Sequence, residues 1–89
     1  MPTISFTRHL SQIAPVSPIE VDGGTLAAVF DAVFSRYPQA RGYVLDEHGR
    51  VRKHIAVFVD GRQIEDRSRL DVTVAAASDI FVMQALSGG

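Results

Sequence analysis

Side chains able to do chemistry are few in this chain, and their spacing says more than their number. The 89 residues include no cysteine, which removes disulfides, zinc–thiolate sites and thiol nucleophiles. The three histidines, His9, His48 and His54, lack the paired spacings that hold a metal, so no metal site is expected. Ser87 precedes Gly88, but the G-x-S-x-G strand-to-helix elbow of hydrolases is absent. There is no glycine-rich phosphate loop and no nucleophile–base pair, so the chain is not expected to be an enzyme in its own right. Arg50, Arg52, Lys53 and His54 form a basic cluster beside a polar turn. Such clusters usually sit in water; in a functional role this one would steer an acidic partner. What remains is the end of the chain. Ser87-Gly88-Gly89 follows an alternating apolar stretch. Glycine has no Cβ and reaches conformations closed to other residues.

The elements that would position these residues follow from the apolar pattern. At 89 residues there is room for one domain. An apolar fraction of 46% with 21% charged residues is that of a globular chain. The formal charge of −1 is not the basic excess of a general nucleic-acid binder. No apolar run approaches the ~20 residues that span a bilayer, and the start MPTISFTRHL lacks the basic and apolar regions of a signal peptide. The expectation is a cytoplasmic protein.

Ile4 and Phe6 alternate with polar residues over Thr3 to His9, the period of a half-buried strand. Ile19-Glu20-Val21 reads as a second strand after a loop with Pro15 and Pro18. Leu26, Val29, Phe30, Val33 and Phe34 mark one face of a helix over residues 25–36. Thr25 or Gly24 caps it, and Pro38 stops it. Tyr43 to Leu45 reads as a short extended piece. Ile55 to Val59 is a central strand, Asp60-Gly61 a tight turn with both residues at positive φ, and Arg62-Gln63-Ile64 the returning partner. Leu70 to Ala77 fits either a short helix or an irregular crossing. Ser78-Asp79 reads as a turn and Ile80 to Ala85 as the final strand. One amphipathic helix needs a sheet face to cover its stripe, so the fold class is α+β: a mixed sheet of four to five strands gripping one main helix. Ile4, Phe6, Val21, Ile55, Val57, Val59, Ile80 and Val82 would supply that face.

Three stretches carry a resemblance. Val57 to Asp66 is similar to the ubiquitin stretch that reads strand, glycine turn, basic, Gln, Leu, Glu, Asp. Thr25-Leu26-x-x-Val29 resembles the helix start of bacterial ubiquitin-like sulfur carriers, and the chain ends in a strand and Gly88-Gly89. Together they resemble the MoaD/ThiS family: the molybdopterin synthase small subunit and the sulfur carriers of thiamine and cysteine pathways. The turn around Glu47 to Lys53 resembles the cysteine-pathway members more. Where the family often has a proline pair, this chain has Gln84 and Ala85, which lets strand pairing run further toward the tail.

The resemblance implies a ubiquitin-like β-grasp domain over residues 1–86 and a flexible tail, Ser87, Gly88 and Gly89. It implies that an E1-like adenylyltransferase of the MoeB/ThiF type uses ATP to adenylate the Gly89 carboxylate. A sulfur donor then displaces AMP and leaves a thiocarboxylate for a downstream sulfur-accepting synthase. The mixed anhydride is needed because a carboxylate has no good leaving group. No cofactor is bound by the chain itself. Strand alternation turns Phe58, Phe81 and Met83 away from the helix, and an apolar patch there marks a partner site; Leu86 would extend it. Partners are proteins, not nucleic acid or membrane. Two other readings share these residues: a conjugating modifier attached through the same carboxylate, and a non-covalent interaction domain with an inert tail.

Overall fold

The computed structural model describes residues 1–7 and 18–84. In chain order its elements are β1 (Thr3–Phe6), β2 (Ile19–Glu20), α1 (Leu26–Arg36), α2 (Pro38–Val44), β3 (Ile55–Val59), β4 (Arg62–Gln63) and β5 (Asp79–Gln84). The five strands form one sheet in the order β2-β1-β5-β3-β4. β1 and β5 run parallel down its centre, and the other neighbours are antiparallel.

The register sorts side chains by face. Ile4 pairs with Ile19 on one side and Ile80 on the other, and Ile80 pairs with Val59. Phe6, Val82 and Val57 make a second inward row. These rows meet α1 through Leu26, Val29, Phe30, Val33 and Phe34, all buried in one core. Each such side chain contributes about 1.5–3 kcal/mol by leaving water. Of the expected sheet-face residues, only Val59 is half-buried rather than buried, because β3 ends there and the chain turns into solvent.

α1 begins where a side chain satisfies its first turn. The Thr25 hydroxyl accepts from the Ala28 N–H at 3.2 Å, and the helix ends at Arg36, before Pro38. Gly23 packs against that first turn: a Cβ there would lie 2.9 Å from the Val29 nitrogen. The Asp60-Gly61 turn has φ of 52° and 82°, as expected for a two-residue hairpin whose twist matches its strands.

The expected elements need correction at three points. Residues Tyr43 and Val44 belong to the end of α2, not to an extended piece. Pro38 ends α1 yet opens α2, because a first-turn position needs no N–H and suits proline's fixed φ. Arg41 ties the two helices, 3.2 Å from the Asp31 carboxylate and 5.3 Å over the Phe34 ring. Asp79 lies in β5 rather than in a turn. The stretch from Leu70 to Ala77 is an irregular crossing: Leu26 and Ala27 donate N–H bonds to Val72 and Leu70 carbonyls, and Thr73 bridges to Thr25. The first strand ends at Phe6, short of the expected Thr7, whereas the last is strand over the whole of its described part, Ile80 to Gln84. Residues 8 and 9 of the first and Ala85 of the last lie outside the described residues.

Candidate functional site

The site is built around β5, which occupies the sheet interior between β1 and β3. Its alternation sends Ile80 and Val82 to the core and Phe81 and Met83 to the opposite face. Phe81 has Ser5 as its partner on β1 and Phe58 as its partner on β3, and Phe58 is flanked on β4 by Gln63. One row across four strands therefore reads Ser5, Phe81, Phe58, Gln63. One step nearer the end of β5, Met83 stands opposite Ala56. Phe81 is 41% exposed, the most of the three large apolar residues, while Phe58 and Met83 are half-buried. The structure thus brings Phe58, Phe81 and Met83 together on the face turned away from α1. Leu86, Ser87, Gly88 and Gly89 lie outside the described residues.

Charged residues gather at both ends of that face. At the β3–β4 turn, Asp60 accepts from the Ser78 hydroxyl at 2.8 Å and from the Asp79 N–H at 2.9 Å. Those two bonds, the backbone one first, hold its carboxyl below the usual range. The Asp79 carboxylate in turn accepts from the Thr3 hydroxyl. This clasp fixes the start of β5 against β1 and the hairpin. Ser78, the one buried polar residue among the described residues, is satisfied within it, also accepting from the Ala75 N–H at 3.0 Å.

At the other end Ile55 pairs with Gln84. Arg52, Lys53 and His54 immediately precede Ile55, so they stand beside the point where β5 leads toward residues 85–89. A cleft of about 800 Å³ opens there, between residues 46–54 and residues 65–68. One wall is a turn organised by Asp46. Its carboxylate accepts from the N–H groups of His48 at 2.8 Å and Arg50 at 3.0 Å, and lies 3.6 Å from the Arg50 guanidinium. The Arg50 N–H bond is the main reason its carboxyl is held down. The other wall turns on Asp66, lowered by the Ser68 hydroxyl and N–H. The Val51 N–H donates to the Arg67 carbonyl at 3.0 Å and joins the walls. Arg50, Arg52, Lys53 and His54 were visible as a cluster in the sequence. Glu65, Asp66 and Arg67 were not, because nothing local shows that they face it.

His48 and His54 are exposed and far from forming a donor set; His9 lies outside the described residues. Among the described residues no three His, Asp or Glu side chains are grouped to hold a metal ion, and no helix is long and apolar enough to cross a membrane.

Neither protein-family models nor curated proteins match this sequence. Solved structures do match its fold. A chain of the Amycolatopsis orientalis BexX/CysO complex superposes with a TM-score of 0.86 at 21% identity, covering 100% of both chains. Mycobacterium tuberculosis CysO gives 0.84 at 17% identity, covering 97% of this chain and 100% of its own. SAMP1 from Haloferax volcanii gives 0.77 at 23%, covering 99% and 98%. At these identities the likeness concerns the fold, and it runs the whole length. With a five-stranded mixed sheet wrapped on α1 and whole-length likeness to these structures, the chain has the ubiquitin-like β-grasp fold.

Proposed function

We propose that this chain is a ubiquitin-like sulfur carrier whose C-terminal Gly89 carboxylate is activated and converted to a thiocarboxylate. The observation that carries the reading is the placement of β5: a central strand of a β-grasp sheet runs toward a chain end of Ser87-Gly88-Gly89. The whole-length likeness to the CysO structures supports it. In this reading an ATP-dependent adenylyltransferase of the MoeB/ThiF type attaches AMP to the Gly89 carboxylate and releases pyrophosphate. A sulfur donor attacks the acyl carbon, AMP leaves, and the thiocarboxylate passes to a downstream synthase. The chain supplies an attachment point and a recognition surface, not a catalytic side chain. The face bearing Phe58, Phe81 and Met83 is the surface for these partners; the structure of CysO with BexX is a precedent for one such fold engaging another protein. Large apolar side chains gathered on one exposed face are what such contacts use. Because activation consumes ATP, this reading sets the chain among cytoplasmic enzymes.

Incubation with the activating enzyme, ATP and a sulfur donor, followed by mass spectrometry of the C-terminal fragment, tests the reading. One oxygen is replaced by one sulfur if it is right. A tail that remains a carboxylate with every such enzyme leaves the inert interaction domain. The likeness to SAMP1, a protein named as a small archaeal modifier, favours one second reading. There the same activated carbonyl is captured by a lysine amine of another protein, and isopeptide-linked products appear in place of a free thioacid.

A further inference from the structure

We infer that the cleft between residues 46–54 and 65–68 is a docking site for a carboxylate-bearing segment of a partner protein. It lies beyond the apolar side chains, at the Gln84 end of the sheet, and involves no chemistry at Gly89. Three cations give it its character. Arg52 is half-buried, and its Nε donates to the Gly42 carbonyl at 2.8 Å. That bond spends one donor and fixes the guanidinium plane, leaving the terminal nitrogens without a partner among the described residues. A guanidinium held this way is preorganised for the two oxygens of a carboxylate. Lys53 and Arg67 are exposed and, like Arg52, make no ion pair among the described residues, whereas Arg50 is already paired with Asp46.

The walls are set before a ligand arrives. The Asp46 and Asp66 turns are each closed by their own carboxylate, and the Val51 to Arg67 bond holds them together. Preformed walls reduce the ordering cost of binding. The lining also selects the class of ligand. Glu65 and Asp66 share the cleft with the cations, so a uniform polyanion such as nucleic acid meets repulsion along one side. A protein segment with spaced carboxylates does not. Position adds direction: the cations sit at the Gln84 end of the sheet face and Asp60 and Asp79 at the other. A partner with acidic residues at one end of its contact surface is thereby oriented along β5.

The test uses the full chain, labelled for NMR, and an acetylated, amidated peptide of alternating glutamate and glycine. Shifts confined to residues 46–54 and 65–68, abolished by about 0.5 M salt, are expected. Arg67→Glu, at an exposed side chain, should weaken the peptide about fivefold or more with the rest of the spectrum unchanged, and Arg52→Gln should do likewise. Lys53 is the only lysine in the chain, so carbodiimide coupling of the peptide to a lysine must map there. Absent shifts, shifts elsewhere, an undiminished Arg67→Glu variant, or tighter binding of an oligouridylate than of the peptide each overturn the proposal. The peptide needs no activated tail, so failure here leaves the carrier reading standing, and failure of that reading leaves this one standing.

Discussion

Phe58 on β3 stands directly opposite Phe81 on β5, on the face of the sheet turned away from α1. Two large apolar residues paired across a sheet interior, with Met83 two positions along, give that face one apolar centre between Ser5 on one side and Gln63 on the other. The next residue on β5 shows what the face means: Val82, adjacent to Phe81, is fully buried. A single strand thus turns alternate residues to the core and to the opposite face.

Phe81→Glu should therefore keep a cooperative fold, losing no more than about 1 kcal/mol from the cross-strand pair. Its binding to the activating enzyme should weaken. Val82→Asp buries a charge and should lose about 4 kcal/mol or more, enough to unfold a domain this small. Thermal melts of both variants, with a pull-down of the Phe81 variant, check this. Equal destabilisation by the two would place Phe81 in the core.

The Asp60 clasp predicts an acid dependence. A carboxylate whose pKa is lowered on folding contributes stability that is present above the unfolded value and lost as pH falls through the folded one. Asp60, Asp46 and Asp66 are all lowered, so stability should be level near neutrality and fall below about pH 4. Asp60→Asn should melt lower than the parent at neutral pH, and the gap should close as the pH drops. A gap that widens on acidification refutes the assignment.

The start of α1 can be probed at two positions. Thr25→Ala removes the bond to the Ala28 N–H and should cost about 1 kcal/mol. Gly23→Ala places a methyl group against the Val29 backbone nitrogen and should cost about 1–3 kcal/mol through a backbone shift. Denaturant titrations measure both; a neutral Gly23→Ala would mean that the loop moves freely.

On the proposed function, removal of Gly89 should abolish thiocarboxylate formation, because the terminal acyl carbon is then displaced by one residue toward β5. A circular dichroism spectrum matching the parent shows that the fold is intact. A truncated chain that still acquires sulfur would exclude Gly89 as the carrier.

Local pattern was sufficient wherever one element buries one face. The Leu26 to Phe34 spacing encodes α1 because a 3.6-residue period has no other use in so short a span. The β-branched and aromatic runs Ile55 to Val59 and Ile80 to Met83 encode β3 and β5; the two-residue period of a strand sets Phe58, Phe81 and Met83 apart from their neighbours, and the packed core decides which set faces α1. Asp60-Gly61 encodes its hairpin through the φ values it tolerates. α2 was illegible for the same reason: over Pro38–Val44 only Ala40 and Val44 are buried, too few to show a period. Its seven residues are too short to hold a helix alone; burial of Ala40 and Val44 in the shared core holds it, with Arg41 reaching α1. Long-range pairing settled what remained. The parallel pairing of Thr3–Phe6 with β5, the Ser78–Asp60 bond and the Val51–Arg67 bond join residues far apart in the chain. No local propensity records such partners, because their free energy comes from burying two surfaces at once. That is why Gly88-Gly89 and the basic run at Arg50 to His54 stand out in the sequence, whereas the cleft that sets Arg67 and Glu65 beside Lys53 exists only once the sheet has closed over the helix.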